Sequence, residues 1–427
     1  MNAFLLTFFV LVCGINLFML RRSGWMCPHN LFIWFNGVMG VGILFQLDLN
    51  RAEDVAHAEL IIITAMLYLI FSVLFSAGFK LRTAWSRFCS ETVITHSRAD
   101  LQISTCIFII SIVASFIYFY LVGYNVLLLV LGSGAENVNI TDMRLASYSG
   151  SKYYAPGYFN QFKNILLPWS YLSIVMIIRK LSRSLFFVRF VSVILLIPVV
   201  FSLLGTGQRA FFVGFVIVAF LLKGFIARGK ITIGRVEVIF TVIGFFVLFS
   251  YMSLALGRSG GNTISDDAGE LLSRIFSEQQ IGSIFGFRYT YHLPVQYGSD
   301  WADDLMSILP GEHGTHLSNK IHEILYGSDR GTVPISMWTS VVYNWGYMGV
   351  FVFPFFLSLF YSKVTFWMIS RSKTTIPELV GYAFLSFILA SWVSAGPMQL
   401  INNGLVTVCL MLGIMYLIAH SKLRWAK

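Results

Sequence analysis

Apolar residues in this chain neither alternate nor form stripes. They run on for about 17 to 25 residues at a time, and the polar residues are gathered between the runs. A run of that length, wound as a helix rising ~1.5 Å per residue, matches the ~30 Å hydrocarbon thickness of a bilayer. Eleven such runs are predicted as membrane-spanning helices, near 2–20, 31–49, 58–79, 102–122, 163–178, 190–204, 210–226, 236–256, 339–361, 377–395 and 401–419. The first has no charged segment before it and reads as a span, not as a cleaved signal. The sixth is short, being bounded by Arg189 and containing Pro198.

Composition agrees. Of the 427 residues 57% are hydrophobic, 16% aromatic and only 12% charged, against about 25% charged in soluble chains. A soluble fold, a disordered chain, a disulfide scaffold with only five cysteines and a coiled coil are excluded together. The fold class is an all-α polytopic membrane protein of eleven or twelve spans, read as a single multi-pass domain over 1–427.

Orientation follows from the basic residues, which are retained on the cytoplasmic side of helix ends. With the amino terminus outside, the inner segments hold Arg21, Arg22, Lys80, Arg82, Arg87, Arg98, Arg179, Lys180, Arg183, Arg189, Lys223, Arg228, Lys230, Arg235, Lys363, Arg371, Lys373, Lys422, Arg424 and Lys427, which is 20 of the 30 basic residues. Only Glu91, Asp100, Glu237 and Glu378 oppose them, so the net charge of +10 reports topology and gives no reason to invoke a nucleic acid. Two outer loops are long, 123–162 and 258–338. The first begins with an apolar stretch, 126–131, and turns aromatic; Tyr153, Tyr154 and Tyr158 there suit either an interfacial belt or sugar stacking. In the second, apolar positions at helical spacing predict an amphipathic helix over 266–285 and a short one over 316–326 that Gly327 ends.

No P-loop, HExxH, CxxC, GxSxG or dinucleotide fingerprint occurs, and the spans are almost free of charge. The chemistry is therefore sought among the outer arginines, Arg51, Arg144, Arg209, Arg258, Arg274, Arg288 and Arg330, whose planar donors suit phosphate. Arg209 follows Gly205-Thr206-Gly207-Gln208 at the start of a helix, a natural anion site; snorkelling to lipid phosphate is the alternative. Arg274 has Glu270 and Glu278 at i±4 and reads as ion-paired, whereas Arg288 has no ready partner in sequence and is the stronger ligand candidate. His313, His316 and the carboxylates Asp300, Asp303 and Asp304 are candidate general bases, and the sequence does not choose among them. Trp301 and Tyr297 suit either sugar stacking or loop packing.

Three passages taken together carry a resemblance. Thr141-Asp142-Met143-Arg144-Leu145-Ala146-Ser147-Tyr148, Gly205-Thr206-Gly207-Gln208-Arg209, and Gly331-Thr332-Val333-Pro334-Ile335-Ser336 running into Tyr343-Asn344-Trp345-Gly346-Tyr347-Met348-Gly349 are similar to bacterial oligosaccharide repeat unit polymerases of the Wzy type, the O-antigen and enterobacterial common antigen polymerases. The resemblance implies a GT-C-like glycosyltransferase of lipopolysaccharide biosynthesis in the bacterial inner membrane, its site facing the periplasm. It would pass a growing glycan from undecaprenyl pyrophosphate to a newly flipped lipid-linked unit, without metal or nucleotide sugar. Arg144 and Arg209, and more loosely Arg330, match its basic positions; Arg274, Arg288 and Tyr343 complete the expected substrate-binding set. A flippase and a chain-length regulator are the implied partners. An O-antigen ligase, a lipid-linked oligosaccharide flippase or other transporter, and a non-catalytic scaffold are the alternatives.

Overall fold

The structure, a computed structural model, describes residues 2–133, 143, 156–208, 210–229, 279–309, 317–327 and 331–420. The described chain is overwhelmingly helical. Its elements are α1 (Asn2–Leu20), α2 (Pro28–Gln46), α3 (Ala52–Gly78), α4 (Leu81–Glu91), β1 (Val93–Thr95), α5 (Arg98–Val122), α6 (Val126–Ser133) and α7 (Gly157–Leu181), then α8 (Leu185–Leu204) and α9 (Ala210–Ile226). There follow α10 (Gln279–Tyr291), α11 (Ser299–Met306), α12 (Leu317–Tyr326), α13 (Met337–Ile369), β2 (Lys373–Thr375), α14 (Ile376–Ala390), α15 (Met398–Asn402) and α16 (Leu405–His420).

Six described helices are long and apolar enough to cross a membrane: Ala3–Ser23, α3, α5, α7, α8 and α13. This is a membrane protein built from helices. The α9, α14 and α16 segments are apolar but shorter, and the run at 236–256 lies outside the described residues. The short sixth run is in fact a helix of 20 residues with Pro198 inside it. Its lipid-compatible flank carries exposed Phe186, Phe190 and Ile197, as expected where hydrocarbon is the solvent.

Contacts sort the chain into two compact units, neither of them contiguous in sequence: one comprises 1–92, 263–372 and 385–405, the other the remainder. In the first unit α3 packs along α13, with α1 and α2 alongside. Some polar groups inside it pair with one another. His29 bonds the Tyr68 hydroxyl through Nδ1 at 3.0 Å and the Ser362 hydroxyl through Nε2 at 2.8 Å, and Trp338 Nε1 donates to Asn36 at 2.9 Å.

In the second unit α5 packs against α7 and α7 against α8, and β1 pairs in parallel with β2, Val93 opposite Lys373. This small sheet is an addition to the all-helical expectation. Each strand feeds a helix through a capping box: the Ser97 hydroxyl accepts from Asp100 N at 3.0 Å while the Asp100 carboxylate accepts from Ser97 N at 2.8 Å, and Thr375 and Glu378 repeat the exchange at 3.3 and 2.7 Å. The pairing brings the segment after α4 beside the segment after α13. Against the expectation of spans almost free of charge, Lys163 is 1% exposed within α7.

Candidate functional site

At the end of the first unit where α2 stops and α3 and α13 begin, the regular helices give way to irregular backbone. The cause is local. Gly346 inside α13 takes φ 63°, ψ −165°, a conformation open essentially to glycine alone, and breaks the helix. The carbonyls of the preceding turn then become available to another segment: Tyr343 O accepts from Gln296 N at 3.0 Å and Asn344 O from Gly298 N at 3.1 Å. This docks the 296–298 turn, where Tyr297 and Gly298 have φ of +51° and +85°, and the turn launches α11. From the other side Ala395, at φ +58°, donates to Ile335 O at 2.9 Å, and Met337 N donates to Val393 O at 2.8 Å. Two non-glycine residues at positive φ, beside two glycines that need it, mark a concentration of strain of the kind held at functional sites.

Asp300 sits inside this knot, 9% exposed. One carboxylate oxygen accepts from Leu317 N at 3.2 Å, at the start of α12, and the other from Asn344 Nδ2 at 3.3 Å. Asn344 is itself locked, its amide donating to Ser340 O at 3.0 Å and its oxygen accepting from Trp301 N at 3.3 Å. Trp301 Nε1 donates to the Ser340 hydroxyl at 2.8 Å, and the indole stands edge-on to Trp345 with ring centres 6.0 Å apart. Burial raises the Asp300 carboxyl above the ordinary carboxylate range; Asp304 adds to the rise, while the Asn344 amide, Lys320 and the Leu317 amide oppose it. Gly396 closes the wall, for a Cβ there would lie 3.0 Å from Trp301 Cδ1 and 3.3 Å from Asp304 Oδ2. The product is a carboxyl group with a raised proton affinity, held by two neutral donors.

Arg288 is placed differently from its expected role as an unpartnered ligand. It projects from α10 onto the start of α3, where Nε and Nη2 each donate to an oxygen of Asp54 at 2.7 Å. Asp54 is fully buried and also accepts from Asp48 N at 2.7 Å, so its need for a fixed cation is complete. Sequence gave no sign of this because the two residues lie more than two hundred positions apart. The same docking stacks His57 on Phe287, ring centres 4.4 Å apart and 9° from parallel, and brings His292 Nε2 to 3.1 Å from Glu53. The fit is tight: a Cβ on Gly282 would fall 1.9 Å from Val333 Cγ1.

The remaining candidates divide. Tyr343, expected to touch substrate, is buried with Leu317, Ile321, Val333 and Ile335 and supports the site from behind. Asp303 is exposed and Asp304 buried on the same helix as Asp300; Tyr297 is 82% exposed. The 316–326 helix is observed as α12, and Gly327 at φ +67° follows it. The helix expected over 266–285 is described only from 279, and there it runs on to Tyr291. Arg144, Arg209, Arg274, Arg330, His313 and His316 lie outside the described residues. Asn344, Ser340 and Asp54 were not singled out from sequence; Asn344 entered only as a member of the Tyr343–Gly349 passage, with no role attached. Among the described residues no three His, Cys, Asp or Glu side chains are gathered for a metal ion. No protein-family model, curated protein or solved structure matches the chain.

Proposed function

We propose that this protein is a membrane glycosyltransferase that polymerises undecaprenyl-pyrophosphate-linked oligosaccharide units on the periplasmic face of a bacterial inner membrane. The reading takes eleven spans in a GT-C-like arrangement, with Asp300 as the general base that removes the acceptor hydroxyl's proton. Trp301 and Trp345 offer apolar ring surface to sugar. The observation that carries it is the Asp300–Asn344–Trp301 knot on strained backbone.

A transporter would also use a broken helix, but near the bilayer midplane. Here the part of α13 beyond the break, Tyr347–Ile369, measures about 34 Å at 1.5 Å per residue, enough to cross the hydrocarbon by itself. That length favours a break at the membrane boundary, where a lipid-linked sugar would meet water. The donor's diphosphate needs cations, and Arg288 is committed to Asp54; Arg144, Arg209, Arg274 and Arg330 are the residues proposed for it. Catalysis would combine charge stabilisation on the departing diphosphate with general-base assistance, the latter contributing about 10²- to 10⁴-fold.

The test is incubation of purified protein with lipid-linked repeat units and no nucleotide sugar. A ladder of products that disappears in Asp300→Asn supports the polymerase. Transfer only to a lipid A core acceptor would make it a ligase, and no transfer to either would overturn the enzyme reading.

A further inference from the structure

Lys163 has no part in the site above. It lies in the second unit, on a π-helical turn, Phe162–Leu166, inserted into α7. Such turns are rare and are frequent where a helix serves function, because the extra residue re-aims the side chains around it. Lys163 is 1% exposed, and its Nζ stands over the faces of Tyr118 at 4.4 Å and Phe119 at 5.7 Å from the ring centres. Among the described residues no carboxylate, hydroxyl or carbonyl oxygen accepts from it. Ring faces attract an ammonium, but they leave its three donors unused.

Asn164, next to it in the chain, and Thr206 are also without hydrogen-bond partners. Asn164, 5% exposed, has neither its amide nitrogen nor its oxygen bonded, and the Thr206 hydroxyl, 6% exposed, has no partner. Phe119 links them. A Cβ on Gly205 would lie 2.4 Å from Phe119 Cζ and 2.2 Å from Asn125 Nδ2, so the Gly205-Thr206-Gly207 turn is seated on the ring that Lys163 faces. The turn is held there by Val126 N donating to Gly205 O at 2.8 Å and by Gly207 N donating to Leu204 O at 2.9 Å. Buried polar groups in proteins are almost always bonded, so an ammonium over the Phe119 ring, the amide next to it in sequence and a hydroxyl on the turn seated against that ring point to a group supplied from outside. Donors predominate: three on the ammonium, two on the amide and one on the hydroxyl, a set suited to an oxyanion with several acceptor oxygens.

We infer that Lys163, Asn164 and Thr206 form a phosphate site, with Lys163 as its cation. This stands apart from the glycosyl-transfer reading, since it requires only binding. The phosphate could be lipid-borne or free, and the experiment separates these. Full-length protein in neutral-lipid nanodiscs is titrated with radiolabelled inorganic pyrophosphate and with a polyprenyl diphosphate, for wild type, Lys163→Met, Lys163→Arg and the double variant Asn164→Leu/Thr206→Val. Wild type is expected to bind, Lys163→Met to weaken binding at least about tenfold, Lys163→Arg to retain most of it, and the double variant to weaken it with the lysine intact. Binding of both ligands with this pattern identifies a site for phosphate itself; binding of the polyprenyl compound alone identifies a lipid headgroup site. Affinities indifferent to Lys163→Met and to the double variant, or no binding of either ligand, overturn the inference. Should Lys163→Met not fold, the double variant decides. Product ladders with unchanged diphosphate affinity in these variants would sink this site and leave the polymerase standing; lost affinity without ladders in wild type would do the reverse.

Discussion

Replacing Arg288 with Met tests whether this residue holds the fold or a ligand. The Asp54 carboxylate, with a side chain 1% exposed, receives three hydrogen bonds of 2.7 Å, two from Arg288 and one from Asp48 N. The substitution removes two of the three and leaves a buried charge with a single neutral donor. Breaking one side of such a pair costs about 3 to 5 kcal/mol, which is two to nearly four decades in the folding equilibrium. Substituting both residues, Asp54→Leu with Arg288→Met, removes the orphaned charge and leaves only the Asp48 amide without its acceptor, a cost of about 1 to 3 kcal/mol. The double variant should therefore be more stable than Arg288→Met alone. Unfolding of the purified variants in bicelles with increasing denaturing detergent, followed by tryptophan fluorescence, measures all four corners of the cycle. If Arg288→Met costs less than about 1 kcal/mol, or if the two substitutions add, the account of the pair is wrong and Arg288 returns as a ligand candidate.

Three further outcomes follow from the same structure. Gly346→Ala should destabilise by about 1 to 3 kcal/mol, because φ 63°, ψ −165° excludes a Cβ, and should loosen the 296–298 turn, read as faster proteolysis at that turn. Asp300 has a folded-state proton affinity raised by burial, so its protonated form favours the fold: its contribution to stability is present below the ordinary carboxylate range and is lost as pH rises through the raised value. As a base it works only when ionised, so transfer activity should fall on acidification at a pH above the ordinary carboxylate range, and an acid limb at or below that range would exclude Asp300 as the base. Cysteines at 93 and 373, opposite one another in the parallel pairing, should crosslink readily on oxidation; failure to crosslink would contradict the register, and labelling of the pair from the same side as a cysteine at 297 would contradict the topology.

The long apolar runs were legible because a span answers to the bilayer alone. Hydropathy over about 20 residues is a local property, and it located α1, α3, α5, α8 and α13, although α3 starts six residues earlier and α13 ends eight residues later than the apolar runs predict. The termination of α12 at Gly327 was legible for a similar reason, since a left-handed glycine is a local device. Asp300 was visible only as one carboxylate among several. What singles it out is the Asn344 amide, brought to it across 44 positions by a helix break that a lone glycine in an aromatic stretch does not announce. Arg288 looked unpartnered because its neighbours in sequence are neutral, and Asp54 reaches it only when α10 docks on α3. Lys163 stood at the start of a predicted span with nothing in sequence to say how deeply it lies; a π turn there leaves it buried against Tyr118 and Phe119. Periodicity thus determined which segments form helices long and apolar enough to cross a membrane. The tertiary structure decided the partners of each ionisable group, because charge pairing and burial depend on distances between segments that no local pattern encodes.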